Sequence, residues 1–305
     1  MKKKLLAIAA LGAAASLTLA GCSSDGMGGT GSGSSGEGSG SGDKGTITLG
    51  YLPAWTDGLS TAYLLQDQLE KIGYTVEMKT LTEAGPLYTG LAQGDVDIYP
   101  SAWPELTPKS YMDEYGDKIE DLGAYYDNAK LTLAVPEYSE LNSIEDLVGK
   151  GADFDGKIYG IEPGAGLTAQ TQSMLPEYGL DGEYELVTSS TAAMLTQLQS
   201  ATDAQQDIVV TLWRPFWAND AFPVKDLEDP QGAMGEAESL HFLGTKGFAD
   251  EFPEAAELIE KIKLDDAQYG SLEDLVVNEY GEGKEAEAVT AWLEENGSDF
   301  DWVVE

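Results

Sequence analysis

From residue 46 onward, short runs of β-branched and aromatic residues alternate with longer amphipathic stretches. The run TITLGY at 46–51 is typical of a buried strand, whereas the apolar residues of 59–72 recur at helical spacing and stop at a glycine. Strands that alternate with helices favour a mostly parallel sheet with helices on its faces. This alternation predicts an α/β fold.

The alternation continues through most of the chain. Residues 253–302 show helical patterns and no strand pattern, so two α/β lobes account for the chain better than a single barrel. Further strands are predicted at 74–79, 96–99, 131–135, 157–161, 184–187 and 207–212, and helices at 86–93, 168–178 and 191–199.

The first 21 residues have the features of a secretory signal peptide, with three lysines followed by an uncharged run and small residues. The run is shorter than the roughly 20 apolar residues that span a bilayer. It ends in LAGC at 19–22, which resembles the lipobox of bacterial lipoproteins. Because Cys22 is the only cysteine of the chain, we expect it to be acylated and to anchor the protein to the extracellular face of the cell membrane.

Residues 22–45 are mostly glycine and serine, a composition that behaves as a flexible coil. A coil of this length reaches about 25 Å from its anchor. We expect this segment to tether the folded part to the membrane.

The composition argues against several classes of function. The chain has 17 Lys and Arg against 54 Asp and Glu, a formal charge of −37, which argues against electrostatic binding of nucleic acid. The single histidine, His241, leaves no His pair for a metal and argues against a His-based catalytic triad. We therefore expect no enzyme activity, no cofactor and no metal. So acidic a surface also predicts a saline or osmotically variable habitat, because salt screens its self-repulsion.

Four of the six tryptophans follow predicted strand ends: Trp55, Trp103, Trp213 and Trp217. In open α/β sheets, ligands bind beyond the carboxyl ends of the strands. A cage of indole faces suits a quaternary ammonium group, which has no N–H to donate and is attracted to the aromatic quadrupole. We therefore predict a solute receptor that closes on its ligand, with a surface enzyme or an adhesin as the alternatives. The other two tryptophans, at 292 and 302, are predicted to pack in the helical C-terminal segment.

Several short blocks of the chain stand in a recognisable order. They are EAGPLY at 83–88, GDVD at 94–97, NAKL at 128–131, VP at 135–136, GIEPGAG at 160–166, SSTAAML at 189–195, LEDPQG at 227–232, ESLH at 238–241 and KGF at 246–248. In this order they resemble the glycine betaine substrate-binding lipoproteins of ABC importers, and the resemblance runs from about residue 46 to the C-terminus. It implies a two-lobed periplasmic-binding-protein fold of type II, no catalysis, and delivery of the ligand to the importer's transmembrane subunit.

The resemblance also implies how the lobes are divided. Lobe one comprises 46–130 together with 241–305, and lobe two comprises 131–240, so that two crossovers join them. We expect the protein to be a monomer.

The resemblance further implies a set of binding residues. Trp55, Trp103 and Trp213 fall on the positions of the family's cage. In similar proteins, backbone N–H groups of a glycine-containing turn help to hold the carboxylate of the betaine, and here these belong to Gly166 and Leu167. A helix N-terminus with glycines that allow close approach suits an anion.

One departure from the family pattern concerns the same carboxylate. Phe216 stands where some relatives have a histidine that helps to hold it, and phenylalanine donates no hydrogen bond. Arg214, the only arginine of the chain, is the candidate replacement, and the alternative is that it faces solvent. We also assign Trp217, one residue after Phe216, to the site.

A second resemblance keeps other ligands open. Trp55-Thr56-Asp57 resembles a motif of the choline-binding branch, in which the aspartate contacts the ligand hydroxyl. Asp57 is therefore a candidate binding residue, and choline or carnitine is the alternative to glycine betaine. That branch often has an aromatic residue where this chain has Leu131, which argues against choline. His241 is interpreted as structural.

Overall fold

The computed structural model describes residues 44–104 and 109–304. The predicted signal peptide, Cys22 and all but the end of the predicted tether lie outside these residues. Within them, strands flanked by helices form a mixed α/β fold, which confirms the predicted fold class. None of the helices in this part of the chain is both long enough and apolar enough to cross a membrane.

The described residues form one sheet with the lateral order β2-β1-β3-β9-β4-β7-β5-β6, and β8 pairs with β4. The strands are β1 (Thr46–Tyr51), β2 (Thr75–Thr80), β3 (Ile98–Ala102), β4 (Ile119–Pro136), β5 (Lys157–Tyr159), β6 (Glu185–Val187), β7 (Val210–Arg214), β8 (Val224–Asp226) and β9 (Glu238–Thr245). The α-helices are α1 (Thr56–Lys71), α2 (Ala84–Gln93), α3 (Lys109–Tyr115), α4 (Gly166–Glu177), α5 (Thr191–Ala204), α6 (Ala218–Ala221), α7 (Phe248–Glu251), α8 (Pro253–Lys261), α9 (Asp266–Asp274) and α10 (Glu285–Asn296).

The sheet has a parallel part at each end and antiparallel pairs between them. Strand β1 is parallel to β2 and β3, and β5 is parallel to β6 and β7. The long strand β4 is antiparallel to all its partners. It pairs with β9 up to Ala129, and from Lys130 onward it pairs with β7 and then β8. The lobe boundaries stay a prediction. The change of partner between Ala129 and Lys130 lies next to the first predicted boundary, between residues 130 and 131.

The sequence pattern did not predict β9 or the first half of β4. Three register shifts interrupt the pairing of these strands, and Gly123 adopts a φ of +114° beside the first of them. A register shift changes which face of the sheet the following side chains occupy, so apolar residues no longer alternate regularly. These strands therefore lack the period-2 signal from which a strand is predicted.

Helix α1 begins at Thr56, three residues before its predicted start. Its first turns bury the polar residues Thr56, Asp57 and Ser60. A search for apolar periodicity does not count such residues, which explains the late predicted start. Their burial shows that the N-terminus of α1 points into the protein rather than into solvent.

Away from this helix end, Trp292 and Trp302 are buried, which confirms their predicted role in packing. Phe300 contacts both rings, with centroid distances of 5.5 and 4.7 Å. His241 lies in β9, and its Nδ1 is 2.9 Å from Asp121 Oδ1 in the neighbouring strand β4. Hydrogen bonding to His241 lowers the pKa of Asp121. This contact joins two strands, as the structural interpretation of His241 requires.

Candidate ligand-binding site

The three predicted cage residues Trp55, Trp103 and Trp213 line one cavity. Trp55 follows β1, Trp103 follows β3 directly, and Trp213 lies near the end of β7. Strands β1 and β3 are parallel neighbours, so their carboxyl ends lie at the same edge of the sheet. The structure therefore brings the three indoles together where open α/β sheets bind ligands. The remaining lining residues are Asp57, Ala84, Tyr88, Tyr99, Tyr111, Leu131, Ile161, Ala165, Gly166 and Leu167.

Trp103 is held by a buried hydrogen-bond network. Its Nε1–H donates to Asp57 Oδ2 at 3.4 Å, and Ser101 Oγ donates to the same oxygen at 2.8 Å. The hydroxyl of Tyr125 donates to Ser101 Oγ at 2.9 Å. Because Asp57 belongs to α1 and Ser101 to β3, these bonds fix the helix against the strand that directly precedes Trp103.

Asp57 is a buried carboxyl group in the cavity wall, with 3% of its surface exposed. Burial raises its pKa, and the hydrogen bonds from Ser101 and Trp103 act in the opposite direction. Among the described residues, no lysine or arginine forms an ion pair with Asp57. A cation in the cavity would favour the ionised carboxylate, so this wall is suited to a positively charged ligand. In the same part of the chain, no three His, Cys, Asp or Glu side chains form a group that could hold a metal ion.

Trp55 lies at the N-cap position of α1, and its Nε1–H donates to Glu162 Oε2 at 3.1 Å. Glu162 is buried and also accepts from the backbone N–H and the hydroxyl of Thr191, both at 2.9 Å. Thr191 is the first residue of α5, where the helix dipole favours an anion. Glu162 is not one of the predicted site residues, although a lone carboxylate in the glycine-containing block GIEPGAG was a usable signal.

Three tyrosines that were not predicted as site residues also line the cavity beside the indoles. Tyr88 stacks on Tyr111 with centroids 4.8 Å apart and planes inclined by 10°, and it meets Tyr99 edge to face at 5.6 Å. The Tyr111 hydroxyl donates to the Gly164 carbonyl at 3.4 Å. These residues extend the aromatic wall beyond the tryptophans. Their positions gave no signal, because a tyrosine in a helix, as at Tyr88 and Tyr111, or in a strand, as at Tyr99, is equally typical of a core.

Gly166 and Leu167 begin helix α4, and both line the cavity. The N-cap residue is Ala165, whose side chain makes no capping hydrogen bond. The first N–H groups of an α-helix have no acceptor within the helix, and the helix dipole adds partial positive charge there. This end of the cavity is therefore suited to an anionic group.

The rings of Trp213 and Phe216 stack closely, and the turn from Trp213 to Asn219 is held by hydrogen bonds of the Asn219 side chain. Asn219 Nδ2 donates to the carbonyl oxygens of both residues, at 2.8 and 2.9 Å. Phe216 is buried but is not among the residues that line the cavity. It supports Trp213 from behind.

The structure does not bring Arg214 or Trp217 to this cavity, which corrects both assignments. Successive side chains of a strand point to opposite faces, so Arg214 lies on the face of β7 opposite Trp213. Its Nε is 2.6 Å from Asp226 Oδ2. Trp217 packs against Phe216 and Phe222 instead, with centroid distances of 5.8 and 5.9 Å. In this structure Arg214 is therefore directed toward Asp226 rather than into the cavity, which agrees with the alternative that it faces solvent.

Comparison with known proteins gives one family match over most of the chain. Residues 45–295 match the family described as the substrate-binding domain of ABC-type glycine betaine transport systems. Among curated proteins, the glycine betaine/carnitine transport binding protein GbuC of Listeria monocytogenes is 35% identical over 150 residues. That alignment covers 48% of this chain and 48% of GbuC, so the chain spans about half the length of this relative.

Solved structures with the same fold cover more of the chain. The glycine betaine/L-proline-binding protein ProX of Borrelia burgdorferi is 33% identical, with a TM-score of 0.78, and the match covers 85% of this chain and 97% of ProX. Lactococcal OpuAC, in a closed conformation complexed with glycine betaine, is 30% identical, with a TM-score of 0.77. That match covers 85% of this chain and 99% of OpuAC.

Proposed function

The chain belongs to the family of substrate-binding domains of ABC-type glycine betaine transport systems, and on this premise we propose that it captures glycine betaine or a related quaternary ammonium osmolyte for an ABC importer. The members of this family are transport binding proteins and not enzymes. The observation that carries the proposal is the cavity in which Trp55, Trp103 and Trp213 meet the N-terminus of α4.

The three indoles are the proposed binding site for the trimethylammonium group. Each desolvated aromatic face contributes about 0.5–2 kcal/mol to the binding of a cation. Three faces thus supply several of the about 8 kcal/mol that a micromolar dissociation constant requires. The buried carboxyl group of Asp57 adds a negative charge to the same wall. The rest of the affinity must come from a second anchor.

The proposed second anchor is the N-terminus of α4. The backbone N–H groups of Gly166 and Leu167 would hold the betaine carboxylate there, with the partial charge of the helix end adding to the attraction. Because Phe216 donates no hydrogen bond and Arg214 is paired with Asp226, this helix end carries the interaction without help from either residue.

The residues of the two anchors are divided between the predicted lobes. Trp55 and Trp103 lie in the predicted lobe one, whereas Trp213 and α4 lie in the predicted lobe two. A ligand with a cationic end and an anionic end therefore contacts both lobes only when they are together. Such a ligand stabilises the closed form by its differential affinity for it, and the closed form is what the importer receives.

Choline or carnitine is the second candidate ligand, and the position of Asp57 in the cavity wall supports it. Choline has a hydroxyl group in place of a carboxylate, and a buried carboxyl group is an acceptor for it. Leu131 lines the cavity where the choline-binding branch often has an aromatic residue. The cavity, with three tryptophans and Leu131 in its wall, is therefore better suited to a betaine than to choline.

We further propose that Cys22 carries a lipid anchor and that residues 23–45 tether a monomeric receptor to the outer face of the membrane. The support is the LAGC sequence, the single cysteine and the glycine- and serine-rich composition of the tether. Substitution Cys22→Ala should abolish labelling with a radioactive fatty acid and release the protein into the medium. Unchanged labelling would contradict the anchor.

The test of the binding function is a calorimetric titration of the chain from residue 23 onward with glycine betaine, proline betaine, carnitine and choline. Tight binding of the betaines with weak binding of choline supports the proposed function. A preference for choline would transfer the recognition to Asp57. If none of the four compounds binds, the protein takes a ligand of another class and the proposal is rejected.

A further inference from the structure

Glu162 is not among the residues that line the cavity, yet its side chain is bonded to one that does. None of the ion pairs formed by residues 44–104 and 109–304 includes Glu162. Its carboxylate instead accepts hydrogen bonds from Thr191 and Trp55. Removing one of these donors or the acceptor itself leaves a buried polar group without a partner.

The partners of Glu162 fall on both sides of the cleft. Thr191 belongs to the predicted lobe two, like Glu162, and its two bonds persist whatever the lobes do. Trp55 belongs to the predicted lobe one. The bond from its Nε1–H to Glu162 therefore exists only when the lobes are together, which makes it a contact of the closed form.

We propose that Glu162 is a positioning residue that locks Trp55 in its cage orientation as the lobes close. This inference rests on the proposed function. The bond fixes the plane of the indole, because a ring that donates to a held acceptor cannot rotate freely. Donation to an anion also polarises the indole and makes its face more negative, which strengthens its attraction for a quaternary ammonium group. Ligand affinity thus depends on a side chain outside the cavity.

The substitution Glu162→Gln tests this selectively. The glutamine carbonyl takes the position that faces the Thr191 backbone N–H, since that donor cannot turn away. Its amide group then occupies the other position, where the Thr191 hydroxyl can rotate to accept from it. The Trp55 N–H cannot do so and meets another donor. The variant therefore keeps the bonds within lobe two and loses the bond across the cleft.

The experiment measures the dissociation constant and rate constants for glycine betaine with the chain from residue 23 onward. We expect Glu162→Gln to weaken binding by about tenfold, mainly through faster dissociation, because the lost contact belongs to the closed form. Trp55→Phe keeps an aromatic face without an N–H. In that background, Glu162→Gln should change the affinity by less than about twofold, since the partner is already absent.

The matched control is Asp229→Asn. Asp229 is a lobe-two carboxylate that accepts from the Tyr178 hydroxyl and from the backbone N–H groups of Ala233 and Met234, with no partner across the cleft. We expect it to lower thermal stability and to leave the affinity unchanged. Glu162→Gln could instead reduce the affinity equally in the unsubstituted protein and in the Trp55→Phe variant, or not reduce it at all. Either result would overturn this inference alone. Failure of the unsubstituted chain to bind any quaternary ammonium compound would overturn the proposed function and this inference with it.

Discussion

Trp213 and Phe216 stack face to face, with ring centroids 3.8 Å apart and planes inclined by 16°. Trp213 lines the cavity, and Phe216 lies behind it, outside the lining residues. Phenylalanine donates no hydrogen bond, and here its ring packs against an indole of the cavity wall.

The first prediction concerns this support. Phe216→Ala should lower the free energy of unfolding by about 3–5 kcal/mol, the usual effect of removing a buried phenylalanine ring. It should also weaken glycine betaine binding, because Trp213 loses the ring that holds it. Urea unfolding and calorimetric titration measure the two effects. Phe222→Ala is the control, since Phe222 contacts Trp217 outside the cavity. Equal affinity losses in both variants would show that Phe216 has no specific role.

The second prediction separates the cage from the other tryptophans. Trp103→Ala and Trp213→Ala should each weaken glycine betaine binding by roughly tenfold, because each removes an aromatic face of about 0.5–2 kcal/mol. Trp217→Ala should leave the affinity unchanged, since Trp217 does not line the cavity. Calorimetric titration of the three variants with glycine betaine measures these affinities, and circular dichroism verifies that each variant is folded. Unchanged affinity in the first two variants would remove the cage from the proposal.

The third prediction links binding to protons. Burial raises the pKa of Asp57 above its usual 3.8, and a bound cation would lower it again by favouring the carboxylate. Ligand binding should therefore release protons, and affinity should rise with pH through the range above 3.8 in which free Asp57 ionises. Calorimetry in buffers of different ionisation enthalpy detects the release, and Asp57→Asn should abolish it. The same buffer dependence in both proteins would assign the protons to another group.

The fourth prediction concerns Glu273, which is buried in α9 and accepts from the Thr56 hydroxyl. Burial raises its pKa from 4.5 to about 8. Between these values the folded protein binds a proton that the unfolded chain has released. The free energy of unfolding should therefore fall as pH rises from about 4.5 to about 8, by up to about 1.4 kcal/mol per pH unit, and change little above that.

Glu273→Gln should remove this part of the pH dependence, because the amide does not titrate. Urea unfolding at several pH values across the window gives the two slopes. Asp57 acts in the same direction, so the difference between the two proteins is the quantity to compare. Parallel curves would show that Glu273 does not carry the effect.

Much of the fold could be predicted because its signals are local. Strand β1 has its predicted bounds, and α4 and α5 begin within two residues of their predicted starts. Strand β9 and the first half of β4 could not be predicted, because register shifts disturb their alternation. The predicted start of α1 was late because the polar residues of its first turns are buried.

The sequence by itself determined which side chains are available for recognition. Tryptophans after strand ends, a glycine turn before a helix and the absence of alternative catalytic groups follow from residue types and local spacing. Together these features indicate a quaternary ammonium receptor. They are visible in the sequence because each depends on the chain over only a few residues.

Only the tertiary structure decided which of these side chains meet. It placed Trp55, Trp103 and Trp213 around one cavity and turned Arg214 away toward Asp226. It also joined Trp55 to Glu162, a contact between residues 107 positions apart in the chain. Such pairings depend on strand order and on the face of a strand that a residue occupies. Spacing along the chain contains none of these, because they arise from packing between distant segments.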